Sequence, residues 1–219
     1  MKRRALLTGA AAMPLLSGCF WDREFDLSWE EEVQLHDGRV IVVKLKHTYE
    51  RLHREFTRYG GTNLTRDTTL TFDAGGTAGT VTQLFKGFHP MFLGQHEGVW
   101  YAVLYGSYYY RSRELPGQDW GELEGPYGQW GIKLLDGKWQ PMSMSRLPGI
   151  FQTPNMLMLY GIASEHAVFN GKRVTLQDKQ AWLAKHHLGY AHVRLTRPTK
   201  TSPKRPDSVL DNMAKGESK

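Results

Sequence analysis

The chain is 219 residues long and 40% hydrophobic, with one cysteine and a formal net charge of +6; this is material for one ordinary globular domain, and it excludes wholesale disorder and an internal disulfide. No run of about 18 uninterrupted apolar residues is present, so an ordinary membrane-spanning helix is excluded as well. Residues 1–18 carry three cations and no anion, residues 19–195 nineteen of each, and residues 196–219 six cations against three anions, so the body is neutral, which argues against a basic nucleic-acid groove on it.

Lys2, Arg3 and Arg4 form a short basic head, and residues 5–16 make an apolar stretch the size of a signal-peptide core. It ends in Leu16-Ser17-Gly18-Cys19. This segment resembles the lipobox of bacterial lipoproteins, in which small residues admit a peptidase that cuts ahead of a cysteine already carrying diacylglycerol. The resemblance implies a signal peptide over residues 1–18 and lipid attachment at Cys19. Two or more acyl chains make such attachment stable where one is marginal. By the same resemblance Phe20 leans toward the outer membrane, facing the periplasm, because Asp in that place favours retention at the inner membrane. Lys2-Arg3-Arg4-Ala5-Leu6-Leu7 also resembles the core of a twin-arginine signal, and the export route stays open. Residues 19–26 read as a lipidated linker whose Phe20 and Trp21 suit a membrane interface. Its residues 20–26 reach about 25 Å when extended, so the domain is expected close to its membrane.

The folded domain is expected over residues 27–196. Residues 29–35, Asp37-Gly38 and residues 39–49 read as a hairpin, since Asp-Gly supplies the positive φ angles of a tight primed turn. A two-residue loop sets Leu35 opposite Val40, Val33 opposite Val42, Glu31 opposite Lys44 and Trp29 opposite Lys46. Trp29, Glu31, Glu32, Val33, Leu35, Asp37 and Gly38 are together similar to the opening Trp-x-Glu-Glu-Val-x-Leu-x-Asp-Gly of an uncharacterised proteobacterial family that includes lipoproteins. Asp136-Gly137-Lys138-Trp139 and Pro154-Asn155 fit that family in kind and order. The resemblance implies a shared fold, and it brings no catalytic residues because the family has no assigned activity.

Strands are expected next at residues 68–72, 80–85 and 99–105, rich in β-branched and aromatic side chains. Gly75-Gly76-Thr77-Ala78-Gly79 reads as a turn and not a phosphate cradle, for it lacks the Gly-x-Gly-x-x-Gly spacing. Residues 116–131 are rich in Gly and Pro and form a long loop. A second hairpin at residues 129–142 turns at Asp136-Gly137 and pairs Leu134 with Trp139 and Lys133 with Gln140. Strands are expected at residues 155–160 and 190–195. Between them Thr175 and Asp178 make a capping box for a helix that Gly189 stops, with Leu176, Trp182 and Leu183 on its buried side. The pattern predicts a mainly β, antiparallel sandwich or barrel-like single domain with one C-terminal α-helix. Residues 197–219 bury too little to repay ordering and read as a disordered basic tail.

Chemistry is sparse. Cys19 is removed from thiol chemistry once acylated. Ser164-Glu165-His166 are neighbours in sequence, which does not make a triad, and no Gly-x-Ser-x-Gly elbow exists. Of the nine histidines, His186, His187 and His192 are densest, but adjacent helical side chains point about 100° apart and rarely share an ion. His96-Glu97 lacks the second histidine of a zinc helix. No metal and no cofactor are expected. Glu31 reads as a structural cross-strand partner of Lys44. The candidate ligand-binding set is Trp120, Tyr127 and Trp130 with Glu122 and Glu124, since rings beside carboxylates suit the two faces of a sugar; Asp119 and Tyr108, Tyr109 and Tyr110 extend it. The same rings also serve as packing under a long loop. The leading expectation is a non-enzymatic envelope lipoprotein that binds or scaffolds a protein partner near the membrane. A glycan or peptidoglycan-binding module on the aromatic loop is the alternative, and a hydrolase on its acids comes last.

Overall fold

The structure is a computed structural model, and it describes residues 24–51, 63–106, 128–157, 167–186 and 194–195. Early in the chain apolar and polar side chains alternate, which turns one face of each strand inward. β1 (Glu24–Gln34), β2 (Val40–Arg51), β3 (Asn63–Asp73) and β4 (Thr80–Lys86) pair in succession as antiparallel neighbours. Trp29, Val33, Val43, Leu45, Leu70 and Phe72 are buried, while Lys44, Lys46 and Thr82 stay exposed.

β5 (Phe88–His96), β6 (Val99–Gly106), β7 (Gln129–Leu135) and β8 (Lys138–Met142) form a second antiparallel sheet. This sheet is buried on both faces, so β5 and β6 lose the alternation and carry apolar runs. Leu93, Trp100, Leu104, Trp130 and Ile132 join the core shared with the first sheet. Phe92, Val103 and Met142 look the other way and are covered by Met144, Leu147, Phe151 and Leu195. β9 (Arg173–Val174) adds to β1 in parallel, and α1 (Leu176–His186) follows it. The result is a mainly β two-sheet sandwich with one helix near the C-terminus; among the described residues neither sheet closes into a barrel.

β1 starts at Glu24, three positions ahead of the expected Leu27, so residues 20–23 alone separate it from Cys19. The first hairpin also differs from expectation. Leu35 N–H donates to Arg39 C=O at 2.8 Å, so His36, Asp37 and Gly38 form the loop and the register moves by one. Gly38 alone takes a positive φ, 87°, because Asp37 Oδ1 accepts from Arg39 N–H at 3.1 Å and keeps Asp37 in ordinary space. Glu31 consequently faces Val43, and it is Glu30 that faces Lys44. At Asp136-Gly137 both residues take positive φ, 50° and 72°, and Leu134 pairs with Trp139 and Lys133 with Gln140 as expected.

β5 escapes the propensity reading because it holds Pro90 and Gly94. Both fit where they stand. Pro90 lies on an edge strand beside a bulge at Met91. A Cβ on Gly94 would sit 2.6 Å from Phe92 Cζ and 3.0 Å from Phe151 Cε1, so only glycine lets those rings pack. Residues 155–157 and 194–195 are irregular and not strands, while 158–160, 190–193 and Gly189 lie outside the described residues. The capping box is formed: Asp178 Oδ2 accepts from Thr175 N–H at 2.9 Å, and Thr175 Oγ1 from Asp178 N–H at 3.1 Å. The N–H of Thr175 accordingly holds the Asp178 carboxyl below its ordinary value. Leu176 and Trp182 are half-buried, and the side chain of Leu183 lies outside the description. Among the described side chains of α1 the buried one is Lys179, 8% exposed.

Candidate functional site

Leu27, Trp29, Glu31 and Val33 share the inward face of β1, and Leu35 just past its end is buried with them, which places a carboxylate in an apolar row. Glu31 has no accessible surface. Such a group requires a cation and donors, and distant segments bring them. Glu31 Oε1 accepts from Leu157 N–H at 2.6 Å and from Lys179 Nζ at 3.1 Å. Its Oε2 accepts from Trp29 Nε1 at 3.4 Å. Burial pushes the Glu31 carboxyl above its ordinary value, and the Lys179 ammonium and the Leu157 N–H hold that rise back.

Lys179 Nζ also donates to the Asn155 carbonyl at 2.7 Å. The Asn155 side chain is committed in turn: Nδ2 donates to Gln34 C=O at 3.0 Å and Leu93 C=O at 2.7 Å, and Oδ1 accepts from Leu93 N–H at 3.0 Å. This node fastens α1 and the segment around residue 155 onto both sheets. Glu32 Oε2 adds a bond from Leu176 N–H at 3.2 Å, holding the first turn of the helix to β1.

Beside the node opens a groove of about 570 Å³, between the end of β1, residues 150–157 and α1. Its walls mix apolar groups, among them Phe92, Ile150, Met156 and Leu176, with the amides of Gln34, Gln152 and Gln180; Lys179 lines it as well. Its size is that of a ligand cleft, about 300–1,000 Å³. A second hollow of about 340 Å³ lies on the outer face of the first sheet, by Lys44, Lys46 and Arg173. Those cations already have carboxylates: Lys46 meets Asp26 at 2.7 Å, Arg173 meets Glu30 at 2.8 Å and Lys44 meets Glu30 at 3.7 Å.

A second interior polar site lies across Trp29. The ring of Trp29 packs 4.7 Å from His47, His47 lies 5.4 Å from His89, and Thr68 Oγ1 is 3.1 Å from His89 Nδ1. His89 keeps a little accessible surface, yet protein atoms surround its imidazole, and this burial lowers its pKa to about 4.

The residues singled out in the sequence fare unevenly. Trp130 is buried, 2% exposed, with its ring edge-on to Phe88 at 5.1 Å, so it is a core side chain and offers a sugar no platform. Trp120, Tyr127, Glu122 and Glu124 lie outside the described residues, as do Cys19, Ser164-Glu165-His166, His187 and His192. Glu31 pairs with Lys179 and not with Lys44. Among the described residues no three His, Cys, Asp or Glu side chains gather as a metal site requires, and no helix is long and apolar enough to cross a membrane. Lys179 is not singled out in the sequence, and Asn155 is named there only in Pro154-Asn155, with no role. Lys179 stands three positions after Leu176 and four before Leu183, on the apolar side of the helical pattern, and that spacing is the signal it left. No protein family, curated sequence or solved structure matches the chain.

Proposed function

We propose that the chain is an envelope lipoprotein, acylated on Cys19, whose β-sandwich is a non-enzymatic module that holds a partner near the membrane in the groove beside Lys179. The groove is the observation that carries the binding role, because it joins a ligand-sized volume to a hydrogen-bonded node that ties three segments together. Acylation rests on Leu16-Ser17-Gly18-Cys19 at the end of an apolar segment with a basic head. Residues 20–23 span at most about 14 Å, so an anchor at Cys19 keeps the domain against its bilayer. Phe20 favours the outer membrane, on its periplasmic side.

A binding role is favoured over acid–base catalysis by the enclosure of Glu31. Its oxygens are taken by Leu157, Lys179 and Trp29, and none of its surface meets solvent, whereas a general acid must reach its substrate. The test of the anchor is metabolic labelling with an alkynyl fatty acid. Label is expected in the wild type, with a block by globomycin and loss in Cys19→Ala; unlabelled protein recovered in the soluble fraction would refute it.

A further inference from the structure

Lys179 is nine-tenths buried, lines the groove, and carries three ammonium protons. Two are used, on Glu31 Oε1 and the Asn155 carbonyl. The third has no acceptor among the described residues. A buried donor in this position is worth most when a ligand supplies the acceptor.

The charge of that acceptor follows from the node. Glu31 already neutralises Lys179, and of the other groove-lining residues only His36 has an ionisable side chain. An added carboxylate or phosphate would bring an unmatched negative charge beside a buried one, and a cation would meet the ammonium. A neutral carbonyl fits. The walls give the rest of the pattern, since a pure hydrocarbon chain would leave the amides of Gln34, Gln152 and Gln180 without exchange partners, whereas a peptide supplies amides and apolar groups together. The backbone N–H groups of Gln152 and Thr153 donate to no described residue and stand in the same wall.

We propose that the groove takes an extended, uncharged peptide segment of a partner protein, one of whose backbone carbonyls accepts a hydrogen bond from Lys179 Nζ. This rests on the groove being the partner site. The exposed side chain of Ile150, 46% accessible on the groove wall, packs against the bound segment.

The experiment is affinity selection with the full chain in detergent micelles, read by mass spectrometry. It uses short random peptides without Asp, Glu, Lys or Arg, capped at both ends, against the same peptides with a free C-terminal carboxylate and against dodecanoate. Capped peptides should be retained preferentially. Retention should weaken about 10-fold or more in Ile150→Asp, which alters a surface side chain, and in Glu31→Gln with Lys179→Met, which removes the donor and keeps the interior neutral. Circular dichroism establishes that both variants fold. Preference for the carboxylate peptides, retention of dodecanoate in place of peptides, a dimer abolished by Ile150→Asp, or retention in no arm would each overturn the proposal. Fatty-acid labelling at Cys19 is read in the same preparation, so failure of the peptide inference stays distinct from failure of the lipoprotein reading.

Discussion

Glu31 with Lys179 and His47 with His89 lie on either side of Trp29, whose indole N–H donates to Glu31 and whose ring packs on His47. At the first site burial is answered by an opposite charge and by donors from three segments. At the second it is answered by a ring held in its neutral form, with a hydroxyl beside its nitrogen. One fold thus uses both remedies for a polar group inside, and they respond oppositely to acid. The Glu31 pKa is raised, so its contribution is full below the ordinary carboxylate value and declines as pH rises through the folded one. The His89 pKa is lowered, so its contribution is full above 6.5 and is lost as pH falls toward about 4.

The largest effect should come from breaking the charged site on one side. Lys179→Met leaves Glu31 buried without its cation, raises its pKa further and destabilises the fold by about 3–5 kcal/mol, measurable by urea unfolding. Adding Glu31→Gln should recover much of that loss; no recovery would show that the charges do not act as a pair. The neutral site is tested by pH. Between pH 6.5 and pH 4 the wild type should lose about 3 kcal/mol through His89, a loss absent from the His89→Phe curve. Parallel curves for the two proteins would mean that the imidazole is not held neutral by burial.

Asn155→Ala comes next. It strands the N–H and C=O of Leu93 and should destabilise by about 1–3 kcal/mol at any pH. Smallest is Lys44→Ala on the outer face, where the exposed partner of Glu30 should matter by less than about 0.5 kcal/mol. A loss as large as that at Lys179 would erase the distinction between the surface pair and the buried one.

The two Asp-Gly turns show how far local reading extends. Asp136-Gly137 makes the two-residue loop its dipeptide favours, and the pairing of Leu134 with Trp139 follows from it. Asp37-Gly38 has the same letters, but Arg39 supplies both a backbone N–H and a guanidinium to the Asp37 carboxylate, at 3.1 and 2.7 Å. The loop grows by one residue and the partner strand slides, and that slip separates the expected Glu31–Lys44 pair from the buried Glu31–Lys179 pair. The alternation Leu27, Trp29, Glu31, Val33, Leu35 already put Glu31 inward. What it lacked was the cation, which stands 148 positions later.

Composition, alternation and the Thr175–Asp178 box were sufficient for a strand-rich domain with a late helix, since each depends on residues a few positions apart. The candidate groove was not legible in that way. Gln34, Asn155, Lys179 and the Ile150 wall meet only after two sheets have packed and α1 has docked on β1. No short-range preference records such a meeting, because burial and ion pairing depend on the distance between segments in space and not along the chain.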